Sequence, residues 1–81
     1  MATILVIDDD PDVTQLIQFA LTRAGHKTLT AEDGQAGLDI TLAKRPDLVI
    51  ADVMMPKLNG YEYCRRVRAQ EELADIPILV F

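Results

Sequence analysis

Two hydrophobic periods take turns along this chain. Thr3 to Ile7 is a short β-branched and aliphatic run closed by Asp8-Asp9-Asp10-Pro11, and it reads as a first strand. Asp10 before Pro11 sets an N-cap ahead of proline at the first helical position. Val13, Leu16, Ile17, Ala20, Leu21 and Ala24 then recur at helical spacing, and Gly25 stands where a C-terminal cap belongs. A helix is predicted from about Pro11 to Ala24. Lys27 to Ala31 is a second, weaker strand, closed by Glu32-Asp33-Gly34 with Asp33 as the next N-cap. Ala36, Leu38, Ile40, Leu42 and Ala43 supply the apolar residues of a second helix, which Gly37 weakens. Lys44-Arg45 suits that helix's negative end, and Pro46 stops it. A nearly unbroken apolar run to Ala51 then reads as a strand buried on both faces, and it turns polar at a single carboxylate, Asp52. After Pro56 and Asn59-Gly60, a third helix carries Tyr61, Tyr63, Cys64 and Val67 and fades into Gln70-Glu71-Glu72. Ala74-Asp75-Ile76-Pro77 turns into a fourth apolar strand, Ile78-Leu79-Val80-Phe81.

The order is β-α-β-α-β-α-β. Strands alternating with helices imply right-handed crossovers and an α/β fold, a doubly wound parallel sheet. A chain of 81 residues is one domain or less and buries about 60–65% of its unfolded surface. An apolar fraction of 49% is ample for a core, and no internal boundary interrupts it. The net charge of -5 argues against direct nucleic acid binding, which needs clustered Lys and Arg. No apolar run approaches a membrane span, and Met1-Ala2-Thr3 has no signal-peptide start, so a cytoplasmic domain without membrane contact is expected. One cysteine, Cys64, excludes an internal disulfide and a thiolate metal site.

The chemistry lies in the acids. Strand one ends in Asp8 and Asp9, strand three in Asp52, and ligands of open α/β sheets bind at the carboxyl ends of strands. Consecutive crossovers can set strands one and three side by side and bring the three acids into one pocket. Clustered carboxylates repel unless a cation neutralises them, and Mg²⁺ accepts a few carboxylates with a carbonyl and waters. Such a site suits a phosphoryl group. Taken singly, each acid reads as a cap or a solvated strand end, and Asp10 mainly as a cap. The combination with Met-Pro-x-x-x-Gly after Asp52 is far more specific than its parts.

These residues resemble the receiver domain of two-component response regulators. Ile4-Leu5-Val6-Ile7-Asp8-Asp9-Asp10 is similar to the family's first strand and acidic pair, and Asp52-Val53-Met54-Met55-Pro56-Lys57-Leu58-Asn59-Gly60 to its phosphoacceptor strand and loop. Ala31-Glu32-Asp33-Gly34 and Asp75-Ile76-Pro77-Ile78 match lesser features. The resemblance implies a flavodoxin-like fold with sheet order 2-1-3-4. It implies that Asp52 accepts a phosphoryl group from a sensor histidine kinase or phosphotransfer protein. It further implies that Asp9, Asp52 and the Met54 carbonyl bind Mg²⁺ directly, with Asp8 acting largely through water. Pro56 would stiffen the loop, and Gly60 would let it turn into helix three.

The family pattern continues beyond the fourth strand. Its hydroxyl switch residue would follow Phe81, and its phosphoryl-pairing lysine and switch aromatic lie further on. Lys57 is on the wrong loop to replace that lysine, and Lys27 and Lys44 lie at the opposite ends of their elements. Residues 1–81 therefore read as a receiver domain incomplete at its C-terminal end, truncated after strand four. Signalling output from this chain alone should be impaired. An open apolar edge at strand four should also promote self-association. The chain reads as a signalling module rather than an enzyme. A Mg²⁺-dependent phosphohydrolase or phosphotransferase, and a receiver-like interaction module without phosphotransfer, are the alternatives. His26 reads as a solvated residue near a helix end, Cys64 as a small core residue, Tyr61 and Tyr63 as packing and rim residues, and Met55 as core. Arg65, Arg66 and Arg68 read as a solvated helix face.

Overall fold

The computed structural model describes residues 2–55 and 57–81; the loop-stiffening role expected of Pro56 lies outside the described residues. Four strands alternate with three helices: β1 Thr3–Ile7, α1 Pro11–Arg23, β2 Lys27–Ala31, α2 Gly34–Lys44, β3 Leu48–Ala51, α3 Gly60–Arg68 and β4 Ile78–Val80. The strands form one parallel sheet in the order β2-β1-β3-β4. This is the doubly wound parallel sheet that the alternating pattern predicts, in the flavodoxin-like order that the resemblance implies.

Each helix starts where its cap residue allows. The side chains of Asp10, Asp33 and Asn59 accept from the backbone N–H of Asp12, Ala36 and Glu62, at 2.9, 2.8 and 2.9 Å. These bonds satisfy donors that the first turn leaves without intrahelical partners. The first helix closes at Gly25, with left-handed φ of 91°, and the Gly25 and His26 N–H groups bond back to Thr22 and Leu21. The second ends at Arg45, φ 47°, just before buried Pro46.

Side chains alternate across the sheet, so it has two unlike faces. On one, Leu5, Ile7, Ala31, Val49 and Ala51 join Met55, Leu58, Tyr63, Val67 and Leu73 in a single buried cluster under α2 and α3. Gly37 belongs to that packing: a Cβ there would collide with the Ile7 side chain, so the residue that weakens α2 as an isolated helix lets it sit on β1. Thr41 donates to the Gly37 carbonyl at 2.7 Å and shares a 2.6 Å hydrogen bond with the Tyr63 hydroxyl, all buried between the two helices. Burial pushes the Tyr63 phenol above its ordinary value.

Several side chains settle differently from the sequence expectation. The third helix turns Gly60, Tyr63 and Val67 inward, leaving Cys64 half-buried and Tyr61 exposed. Behind it a short 3-10 turn, Glu71–Leu73, delivers Leu73 to the core. Arg68 is a tie rather than a free charge: its guanidinium donates to the carbonyls of Ala74 and Ile76, at 3.0 and 2.8 Å, and holds the approach to β4. His26 is half-buried, and its Nδ1 accepts from the Ala2 N–H at 3.2 Å.

Candidate functional site

Register builds the site. Ile7 pairs with Ala51 in the β1–β3 ladder, so the next residues, Asp8 and Asp52, emerge side by side at the carboxyl edge of the sheet. Backbone bonds fix both: the Asp52 N–H donates to the Ile7 carbonyl at 2.9 Å, and the Asp8 N–H to the Ala31 carbonyl at 3.1 Å. Asp9 follows on the turn into α1. Asp8, Asp9 and Asp52 each offer a carboxylate oxygen, and the three oxygens lie within 4.8 Å of one another.

The three acids differ in exposure. Asp8 is buried, Asp52 half-buried and Asp9 exposed. An Asp8 oxygen accepts from the Asp10 N–H at 2.9 Å, and Oδ1 of Asp52 accepts from the Met54 N–H at 3.1 Å. The second bond orients the Asp52 carboxylate and folds the loop back over it. Burial chiefly, with the charges of Asp52, Asp9 and Asp10 adding to it, holds the Asp8 carboxyl above its ordinary value, against the opposing Asp10 N–H bond. Three hard oxygen donors gathered this closely, one of them disfavoured as a free anion, fit a hard divalent cation better than any softer ion.

Met54 is exposed, and with Asp9, Val53, Met55 and Asn59 it lines an open cleft of about 370 Å³. A second cleft of about 390 Å³ runs from Asp8 and Asp9 along Thr14, Gln15 and Gln18 to Thr30 and Glu32 of the β2 end. Asp10 keeps to its capping role. The loop after Asp52 brings in a residue pair invisible in the sequence. Lys57 Nζ lies 3.4 Å from Oδ2 of Asp33, across 24 residues of chain, and no spacing rule links such positions.

Fold and acids together define a doubly wound α/β domain with a carboxylate cluster at the sheet's carboxyl edge. A family model described as the response regulator receiver domain matches residues 4–81, and the chain belongs to that family, as a receiver domain of a two-component response regulator. The chain is 41% identical over 80 residues to the DNA-binding dual master transcriptional regulator RpaA of Synechocystis sp., covering 99% of this chain and 33% of that protein. It is 42% identical over 77 residues to the alkaline phosphatase synthesis transcriptional regulatory protein PhoP of Bacillus subtilis, covering 95% and 31%. The chain thus spans about a third of the length of these curated relatives. Among solved structures, it matches the N-terminal domain of a response regulator receiver protein from Methanoculleus marisnigri JR1 at a TM-score of 0.95 and 36% identity, covering 99% of this chain and 65% of that one. The chemotaxis response regulator CheY4 of Vibrio cholerae also matches at 0.95 and 36%, covering 99% and 67%. No helix among the described residues is long and apolar enough to cross a membrane.

Proposed function

We propose that this domain accepts a phosphoryl group on Asp52 from a phosphohistidine of a sensor kinase or phosphotransfer protein. The observation that supports this best is the convergence of Asp8, Asp9 and Asp52 within 4.8 Å at the end of the sheet. The carboxylate of Asp52 is the nucleophile. Its oxygen forms a bond to phosphorus while the bond from phosphorus to the donor's imidazole nitrogen breaks, and the leaving imidazole takes up a proton from solvent. Membership in the receiver family, whose acceptor motif Asp52 matches, favours it over its neighbours, and burial further disfavours Asp8. The Met54 N–H on Oδ1 restrains the orientation of the Asp52 carboxylate, which favours a single attacking geometry.

Asp9, Asp52 and the Met54 carbonyl are the ligands we assign to Mg²⁺, with Asp8 completing the set through water. When bound, the ion would neutralise the carboxylates and offset charge on the phosphoryl oxygens. With the ion bound, Asp8 would add negative charge to the site, and the Asp10 N–H holds its carboxylate in place. The activity is that of a phosphorylated signalling module in the cytoplasm, not of a turnover enzyme. Transcriptional control is what the names of RpaA and PhoP describe for those longer proteins. The partner proposed for these 81 residues is the phosphodonor protein.

The test is intact mass after incubation with Mg²⁺ and a small acyl or amido phosphodonor. One added phosphoryl group is expected on the parent and none on Asp52→Asn. An adduct that persists in Asp52→Asn would remove Asp52 from the role. Many turnovers of free phosphate would favour a phosphohydrolase.

A further inference from the structure

The loop that carries the acceptor's neighbours does not hang free from β3. Its far end is fastened to the start of α2 by two contacts. Leu58 is buried, and its backbone carbonyl lies so close to Gly34 that a Cβ there would collide with it. Beside this, one carboxylate does two things. Oδ1 of Asp33 accepts from the Ala36 N–H at 2.8 Å and starts the helix, while Oδ2 faces Lys57 Nζ at 3.4 Å. The Asp33 carboxyl is held below its ordinary value, first by the Ala36 N–H and then by Lys57. Among the described residues this is the only ion pair within 4.0 Å, although the chain has 13 acids and 8 Lys and Arg.

Lys57 also has a backbone that side chains avoid. Its φ is 66°, in the left-handed region, where a residue with a Cβ is strained and glycine is not. A lysine at that position is costlier locally than a glycine, and what the lysine adds is the pair with Asp33.

We propose that Asp33 and Lys57 are positioning residues for the acceptor site: by tying Lys57 and Leu58 to the first turn of α2, they help to hold Met54, earlier on the same loop, over Asp52. The proposal rests on the phosphoacceptor reading of Asp52. Neither residue touches the reacting atoms. Lys57 is mostly exposed, so the pair is worth what an exposed ion pair is worth, and its loss should loosen the loop about two- to fivefold in population.

Two variants separate clamp from scaffold. Asp33→Asn keeps a good N-cap acceptor but removes the charge. Lys57→Gly removes the ammonium and relieves the backbone. Each is expected to raise the Mg²⁺ dissociation constant measured by calorimetry about two- to fivefold, and to slow phosphorylation by a small phosphodonor to the same degree. Backbone amide exchange at Met54, Leu58 and Gly60 should quicken equally. The double variant should be no worse than the poorer single one, because both remove one interaction. The melting temperature of Lys57→Gly should not fall. Parent-like metal affinity and amide exchange in both single variants would overturn the proposal. So would losses that multiply in the double variant, or that follow melting temperature. Asp52→Asn is run alongside. If the parent itself takes no phosphoryl group, the acceptor reading fails, while metal affinity and amide exchange still report on the clamp.

Discussion

The two faces of one four-stranded sheet have been treated very differently. Under α2 and α3 the packing is continuous, from Leu5 through Val49 to Leu73, all fully buried. On the other face, α1 lies chiefly over β1 and β2 and covers Ile4 and Val6. Beyond it Ile50 is only half-buried, Leu79 is 58% exposed, and Leu16 and Phe19 on α1 are 71% and 53% exposed. The flank of α1 that carries Gln15 and Gln18 looks toward β2, where both line the cleft with Thr30 and Glu32. Leu16 and Ala20 are exposed. The difference teaches that the same apolar period can encode core on one side and an unfilled surface on the other. The α2 and α3 face packs β1 and β3 throughout, whereas the α1 face buries Ile4 and Val6 of β1 and leaves Ile50 of β3 only half-covered.

The sharpest way to break the comparison is to shorten one leucine from each side. Leu73→Ala empties a fully buried position and should cost about 2–5 kcal/mol, whereas Leu16→Ala on the exposed flank should stay within about 0.5 kcal/mol. Urea unfolding of both variants reads the contrast, and equal losses would mean that the exposed flank is in fact packed.

A smaller effect concerns the edge that both faces share. The Asp8 carboxyl is held above its ordinary value by burial first and by neighbouring charge second, so it ionises less readily folded than unfolded. Its contribution to stability is therefore full below the ordinary carboxylate range and is lost as pH rises through that range toward the raised value. The metal-free parent should lose melting temperature over this window relative to Asp8→Asn. Parallel pH profiles for the two would show that Asp8 costs the fold nothing.

The smallest effect expected is association between copies through the unfilled strip and the β4 edge, a proposal that rests on exposed Leu79 and Phe81. Sedimentation coefficients of this chain should rise with concentration, and Leu79→Glu should flatten the rise. A parent that sediments as a monomer throughout the series would remove the proposal.

The order and type of the elements were written in local signals, because caps, turns and apolar periods act over a few residues. Asp10 before Pro11, Asp33 before Gly34 and Asn59 before Gly60 mark helix starts that the hydrogen bonds reproduce. The three acids were also legible, since strand ends can be read from where apolar runs stop. What the sequence could not assign was which apolar residues become core. Leu16 and Leu73 are both leucines, yet only the path of the chain around α3 buries the second. Gly37 reads locally as a helix defect, and only the approach of α2 to Ile7 makes it a requirement. Lys57 and Asp33 pair across 24 residues, which no local period can encode. By itself the sequence determined the alternation of strands and helices and the carboxylates at the strand ends. The tertiary structure decided the register that sets Asp8 beside Asp52, the face that is filled, and the partner of Lys57. Those depend on distances between segments remote in sequence, and only packing fixes them.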